Sequence, residues 1–386
     1  VNAWPRGVDL LFATGGSGGH IYPALAVARA ARAHGLQVAF LGQAGGMEAR
    51  LVPEAGHPFL GVAAGKWDRQ RPDPRQAFRA AGGLLRAVRA VRAARPRLVV
   101  GFGGFASFPG CAAALLTGTP LALHEGNAFP SRVNRWFAPR ARIVVLAQEP
   151  AGQHLNARAQ AVAPFPVREA HLERADARRA LGLDPDAVVT LVMGGSQGSL
   201  TLNHAVPDAY RALRRPGLQV LHSSGRRWFD TLRGSVADLP EYHVHPYLDA
   251  AQAFTAADLA ITRAGVGTLS EAAFHGTPLV MVPLPSAAED HQRHNAEAVE
   301  AAGAGITVPE TELGDLPGAW RALLDPTRRA TAAAAALGRS PAGAAERILG
   351  LLLPYLAPDD GAPNDGAPND GAPNDGGAGR LRGSAS

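Results

Sequence analysis

The sequence predicts an α/β protein built from two Rossmann-like units with parallel sheets facing each other across a cleft. Three observations predict it. An apolar strand, a glycine turn and a helix succeed one another at residues 8–14, 15–20 and from about Tyr22, and again at 188–193, 194–198 and after Ser199. This succession opens a Rossmann-like βαβ unit. Each opening is followed by strands alternating with helices, the signature of a parallel sheet. At 386 residues the chain is long for one core and suits two.

Taken in order, the first unit continues with a helix over 23–34 closed by Gly35, a strand at 37–42, a short helix at 46–55 and a strand at 59–62. After a loop at 71–74, residues 75–95 read as a helix carrying Arg75, Arg79, Arg86, Arg89, Arg92 and Arg95, with an apolar stripe of Leu84, Leu85, Val88 and Val91. Its basic face is either solvated or suited to anionic lipid headgroups. Residues 98–123 carry no charge and imitate a membrane span. Gly101, Gly103, Gly104, Pro109, Gly110, Gly118 and Pro120 instead divide them into a strand (98–101), a turn, a helix (109–116) and a strand (120–124), a buried βαβ unit. Strand and helix alternate to about residue 146. Residues 161–168, AVAPFPVR, read as the linker, held extended by their prolines. A helix at 172–181 leads into strands near 188–193, 219–222, 243–245, 259–262 and 279–282, and 330–353 is a terminal helical stretch. From Gly361 the sequence repeats Gly-Ala-Pro-Asn-Asp three times, and this tail is expected to be disordered. The division is therefore 1–163, 164–357 and 358–386.

One cysteine, Cys111, excludes an internal disulfide and fits a reducing compartment. The early apolar run at 8–13 is too short for a secretory signal. Charge is uneven: residues 1–163 carry 19 Lys+Arg against 7 Asp+Glu, whereas 164–386 carry 19 against 26. The first half is thus expected to meet something anionic, whether nucleic acid, a membrane or a phosphorylated substrate. The basic helix lacks interleaved aromatic residues, which argues against nucleic acid.

Polar residues gather where strands end. Gly15–His20 would expose backbone N–H groups at the positive end of a helix, suited to an oxyanion or phosphate. Ile21 stands where the dinucleotide fingerprint needs its third glycine, so NAD is disfavoured. His20 is either a general base or a hydrogen-bonding residue at the helix start. Gly194–Ser199 is a second anion pocket, in which Ser196 caps the helix or touches a phosphate. In TRAGVGTLSE (262–271), Glu271 either closes a capping box with Thr268 or accepts both hydroxyls of a ribose. The loop 283–295 matches no metal-ligand spacing, and its Gln292 and Asn295 suit hydroxyl recognition. His124, Glu125 and Asn127 end another strand and face the same cleft.

Together these motifs resemble the MurG family: GGSGGH (15–20), MEARLVP (47–53), AGKW (64–67), GFGGFASFPG (101–110), HEGNA (124–128), PVR (166–168), GGSQGS (194–199), SGR (224–226), TRAGVGTLSEAAFHGTPLVMVPLP (262–285) and DHQRHNA (290–296) occur in order. The resemblance implies the GT-B glycosyltransferase fold and transfer of N-acetylglucosamine from UDP-GlcNAc to lipid I, undecaprenyl-diphospho-MurNAc-pentapeptide, giving lipid II in peptidoglycan synthesis. It implies catalytic roles for His20 and Glu125. Donor contacts would come from Ser17, Gly18, Asn127, Arg168, Ser196, Gln197, Leu248, Ala264, Glu271, His291 and Gln292. Acceptor contacts would come from Gly15, Gly16, Gly19, Tyr22, Gly103 and Gly104, and the uracil would meet backbone near Tyr247 and Leu248. The chain departs from the family at Gly126, usually Gln, at Phe165, usually Asn, and at Ala264, often Ser.

The α-linked donor and β-1,4 product of that reaction imply direct inversion at the anomeric carbon, with His20 as base and Glu125 second. No metal or other cofactor is required, because backbone N–H groups can meet the departing diphosphate. The expected partners are UDP-GlcNAc, lipid I, the anionic surface of the bacterial inner membrane on its cytoplasmic side, held peripherally, and other cell-wall synthesis proteins. The alternatives are another GT-B transferase with a glycolipid acceptor such as diacylglycerol, a UDP-GlcNAc 2-epimerase, or a UDP-sugar-binding protein without turnover.

Overall fold

In the computed structural model, residues 4–63, 74–170, 172–195, 197–340 and 342–356 are described. Seven strands form the first sheet: β1 (Leu10–Ala13), β2 (Val38–Gln43), β3 (Phe59–Val62), β4 (Leu98–Gly101), β5 (Leu121–Glu125), β6 (Ile143–Leu146) and β7 (Gln160–Val162). Six form the second: β8 (Val188–Met193), β9 (Leu218–Ser223), β10 (Tyr242–His245), β11 (Leu259–Thr262), β12 (Leu279–Met281) and β13 (Gly305–Thr307). The orders are β3-β2-β1-β4-β5-β6-β7 and β10-β9-β8-β11-β12-β13, every pairing parallel. Each sheet therefore reverses direction of winding beside its own first strand. Ligands of such sheets bind at the carboxyl ends of the strands flanking that reversal. Here those ends carry both glycine turns.

The strands are apolar on both faces because helices cover both. In β1, Leu10 and Phe12 enter one core with Ala24, Val27 and Val100, while Leu11 and Ala13 enter the other with Val91, Val99 and Ala114. Side-chain alternation along a strand produces that split. The uncharged stretch is β4, a turn, the helix Phe108–Thr117 and β5, with left-handed Gly118 ending the helix. Among the described residues no helix is long and apolar enough to cross a membrane.

Four features differ from the sequence reading, the first being β13, a sixth strand that pairs with β12 in the second sheet. The start of the linker is β7, which pairs with the edge of β6 and adds a seventh strand. The terminal stretch is two helices, Pro326–Leu337 and Ala344–Leu352. The second of these packs on the Gly18–Ala33 helix, and Ile348, Leu349 and Leu352 are buried in the first core. The chain end thus returns to the unit where it began, which local periodicity cannot reveal. In the Pro74–Ala94 helix the buried face is Ala87, Ala90, Val91 and Ala94, whereas Leu85 points outward at 51% exposure. Small residues lie inward there because the helix packs closely on the Phe108–Thr117 helix. The repeat tail, residues 358–386, and the AGKW motif lie outside the described residues.

Candidate active site

The first glycine turn leaves β1 with Gly15 at φ 145° and Gly16 at φ 85°. Ser17 is the residue before the helix, yet its hydroxyl caps no backbone group. It lies 3.0 Å from His20 Nδ1 instead. The Thr14 hydroxyl donates to the His20 carbonyl at 2.7 Å, tying strand end to helix start. The His20 ring lies against Gly103 and Gly104, where a methyl group on Gly104 would stand 3.0 Å from Nδ1. Desolvation, assisted by His291, lowers the His20 pKa to about 4, and the Gly15 carbonyl partly opposes this. The imidazole is therefore neutral at pH 7 and can accept a proton. Gly18 abuts the exposed Tyr22 ring, and Gly19 abuts Val266 of the second unit.

Glu125 is buried at the end of β5. Oε1 accepts from the Asn127 amide at 3.0 Å and the Asn127 side chain at 3.1 Å; Oε2 accepts from the Ser131 amide at 2.8 Å and the Asn134 side chain at 2.9 Å. Four donors fill the acceptor capacity of a carboxylate. Burial raises its pKa, against those four hydrogen bonds. The sequence reading placed Glu125 second as base. Its geometry instead makes it the brace of the 125–134 loop, with no lone pair left for a substrate proton. His124 is also withdrawn from the cleft: its ring lies 5.0 Å from Phe102 and 6.0 Å from Phe165, and burial lowers its pKa to about 3.

In the second unit, Ser199 caps the Leu200–Leu213 helix, accepting from the Leu202 amide. The cap expected of Ser196 thus belongs to Ser199; Ser196 itself lies outside the described residues, and Gln197 is exposed. Behind the turn, buried Arg263 donates to Ser199 Oγ at 3.0 Å, to the Val282 and Pro283 carbonyls at 3.1 and 3.2 Å, and to Glu310. It ties the ends of β8, β11 and β12 together. The capping-box reading of Glu271 fails. Gly265 precedes the helix Val266–Phe274, so Thr268 already lies inside it. Desolvation, then Asp249, raises the Glu271 pKa to about 7, while Arg168 opposes the rise. Arg168 itself pairs with Asp249 at 2.6 Å. Leu248 and Ala264 are buried, which restricts them to backbone contacts, and neighbouring Tyr247 is 59% exposed. Gln292 Oε1 accepts from the amides of Ala264 and Leu284 at 3.1 and 3.0 Å, which fixes its amide orientation.

The halves meet through Asn295, read from sequence as a hydroxyl-recognising residue. It is fully buried, accepts from the Ala128 amide at 2.8 Å and Gln148 at 3.2 Å, and donates to Asn127 Oδ1 at 3.2 Å and the Ala264 carbonyl at 3.2 Å. Arg135 pairs with Glu289 at 2.7 Å beside it. These bonds bring Ser17, His20 and Asn127 to the side of the cleft occupied by His291 and Gln292. Gly126 has room only because it is glycine: a methyl group there would stand 2.8 Å from the Phe165 ring. Two departures from the family pattern thus fit one another. Sequence reasoning assigned no role to Arg263, Asn134 or Glu48. Arg263 follows the end of β11, Asn134 lies in the Arg132–Phe137 helix and Glu48 opens the Glu48–Glu54 helix; what sets them apart is burial, which is not visible in one sequence.

Two parallel α/β units, each offering a glycine turn and polar residues at its winding reversal, define the GT-B fold. The chain belongs to glycosyltransferase family 28 and, within it, to the MurG family: residues 10–146 match the family 28 N-terminal domain and residues 189–348 its C-terminal domain. It is 46% identical to the UDP-N-acetylglucosamine--N-acetylmuramyl-(pentapeptide) pyrophosphoryl-undecaprenol N-acetylglucosamine transferase of Deinococcus deserti, over 90% of this chain and 98% of that one. The Thermus thermophilus enzyme of the same name is 41% identical, over 90% and 100%. Among solved structures, MurG of Acinetobacter baumannii superposes with a TM-score of 0.75 at 28% identity, over 90% of this chain and 99% of that one. A kitacinnamycin glycosyltransferase at 19% identity and TM-score 0.69 shares the fold.

Proposed function

We propose that this chain transfers N-acetylglucosamine from UDP-GlcNAc to the MurNAc 4-hydroxyl of lipid I by one inverting displacement. The new bond joins that oxygen to the anomeric carbon as the bond from the anomeric carbon to UDP breaks. His20 carries the reading. It is neutral at pH 7, lodged against Gly103 and Gly104 and oriented by Ser17, on the side of the cleft that meets His291. With the Nδ1 proton directed to Ser17 Oγ, the Nε2 lone pair takes the hydroxyl proton. Glu271 accepts the ribose hydroxyls. Gln292, its oxygen held by two amides, donates its NH2 to the sugar. Backbone N–H groups of the 194–198 turn and at Val266–Thr268 receive the charge on departing UDP without a metal.

The lipid acceptor fits a peripheral position on the anionic cytoplasmic face of the inner membrane. On the Pro74–Ala94 helix, Phe78 and Leu85 are 81% and 51% exposed beside exposed Arg79, Arg86 and Arg89. Such a face gains about 1 kcal/mol per basic residue near an anionic surface, so binding to anionic vesicles should fall steeply with salt. The reading is tested by UDP release from UDP-GlcNAc in EDTA, with and without a lipid I analogue. Release only with acceptor supports it; release with diacylglycerol but not lipid I refutes the acceptor assignment.

A further inference from the structure

The MEARLVP segment (47–53) takes no part in the reaction described above. Its Glu48 is wholly buried. The carboxylate stands beneath the first glycine turn, where Oε2 accepts from the Gly16 amide at 3.3 Å and Oε1 from the Gln43 amide at 2.9 Å. Three glycines make room for it. A methyl group on Gly15 or Gly46 would overlap the carboxylate, and one on Gly42 would stand 2.8 Å from Glu48 Cγ. The residues after β1, within β2 and after β2 are thus each reduced to glycine around one side chain. Burying a carboxylate is costly, and among the described residues two amides offset that cost. The arrangement is out of proportion to a helix that spans only Glu48–Glu54. Its consequence reaches the base, because Gly16 leads directly into Ser17, whose hydroxyl lies 3.0 Å from His20 Nδ1, and the Gly15 carbonyl lies beside the same ring.

We infer that Glu48 is a positioning residue for the transfer: its carboxylate pins the Gly15–Gly16 turn and, through the adjoining Gly15 carbonyl and Ser17 hydroxyl, sets where the His20 imidazole stands. The inference rests on His20 being the base. In Glu48→Gln, one oxygen becomes an NH2 that confronts a backbone N–H, so the turn must shift. The Gly15 carbonyl supports the protonated imidazole against desolvation, so its withdrawal moves the His20 titration downward. Among the described residues, the other titratable groups facing that ring are His291 and His124.

The test uses the full chain with Glu48→Gln, and with Glu54→Gln on the exposed end of the same helix as control. Three quantities are read: kcat and KM for acceptor-dependent UDP release, UDP-GlcNAc affinity by calorimetry, and the His20 titration by NMR of labelled histidine, assigned with His20→Gln. The expected result for Glu48→Gln is a kcat about tenfold lower or more, donor affinity within about twofold, and a His20 titration lower by about half a pH unit or more. Glu54→Gln should match the parent. A wild-type kcat, or a lower kcat with an unmoved His20 titration, overturns the inference. If Glu48→Gln does not fold, Glu48→Asp, which withdraws the charge by one methylene, is judged by the same readouts. Should the parent itself show no acceptor-dependent release, the transferase reading fails, while the His20 titration still decides whether Glu48 sets the ring.

Discussion

Glu271 offers the most exacting test of the donor side. Its carboxyl is moved from 4.5 to about 7 by desolvation and Asp249. That displacement corresponds to about 3 kcal/mol between its ionised and neutral forms. Because the folded-state pKa is raised, the folded protein binds more protons than the unfolded chain between pH 4.5 and about 7. Stability from this group is therefore full below pH 4.5 and is lost as pH rises to about 7. Glu271→Gln removes the penalty. By urea unfolding it should match the parent near pH 4.5 and exceed it by about 2–3 kcal/mol at pH 8, the gap opening over that window. Donor binding has the opposite dependence, since ribose hydroxyls donate to the ionised form. UDP-GlcNAc affinity should rise about tenfold per pH unit up to about pH 7 and then level. Near pH 6, calorimetry in buffers of different ionisation heat should show close to one proton released per UDP-GlcNAc bound. A stability gap that does not vary with pH, or binding that releases no proton, would refute the assignment.

His20→Ala should lower kcat by about 10²–10⁴-fold with donor affinity nearly unchanged; in the parent, kcat at saturating UDP-GlcNAc should fall only below about pH 4, where His20 protonates. An acid limb near 6.5 would point to another base. Asn295→Ala deprives the Ala128 amide of its acceptor and Gln148 of one of its two, and should cost about 1–3 kcal/mol in urea unfolding. A loss below about 0.5 kcal/mol would mean the halves are held elsewhere. Ile348→Ala, in the returning C-terminal helix, should cost about 2–5 kcal/mol; an effect as small as that of a surface change would place this helix outside the first core.

Much of this was legible in the sequence because glycine turns and apolar runs are local signals. Residues 98–101 and 188–193 read as strands and are strands, since a parallel strand buried on both faces is a continuous apolar run. The short helix after the second strand was also found, but not the reason for it, because Glu48 acts on glycines contributed by two other segments. Glu125 illustrates the same limit. Its place at a strand end is visible, whereas the four donors that occupy it come from a loop whose path the sequence does not state. Ser199 displaced Ser196 as cap because cap position depends on where the turn closes. Leu85 turned outward because small residues, rather than large ones, faced the neighbouring helix.

The central claim is an inverting transfer to a lipid-linked MurNAc with His20 as base. It is tested most directly by incubating the protein with UDP-GlcNAc and a lipid I analogue and reading the anomeric configuration of the product by NMR, alongside His20→Ala. A β-linked disaccharide, formed only with acceptor and about 10²-fold or more slowly by His20→Ala, is the expected result. An α-linked product, sugar released or epimerised without acceptor, or undiminished turnover by His20→Ala would contradict it.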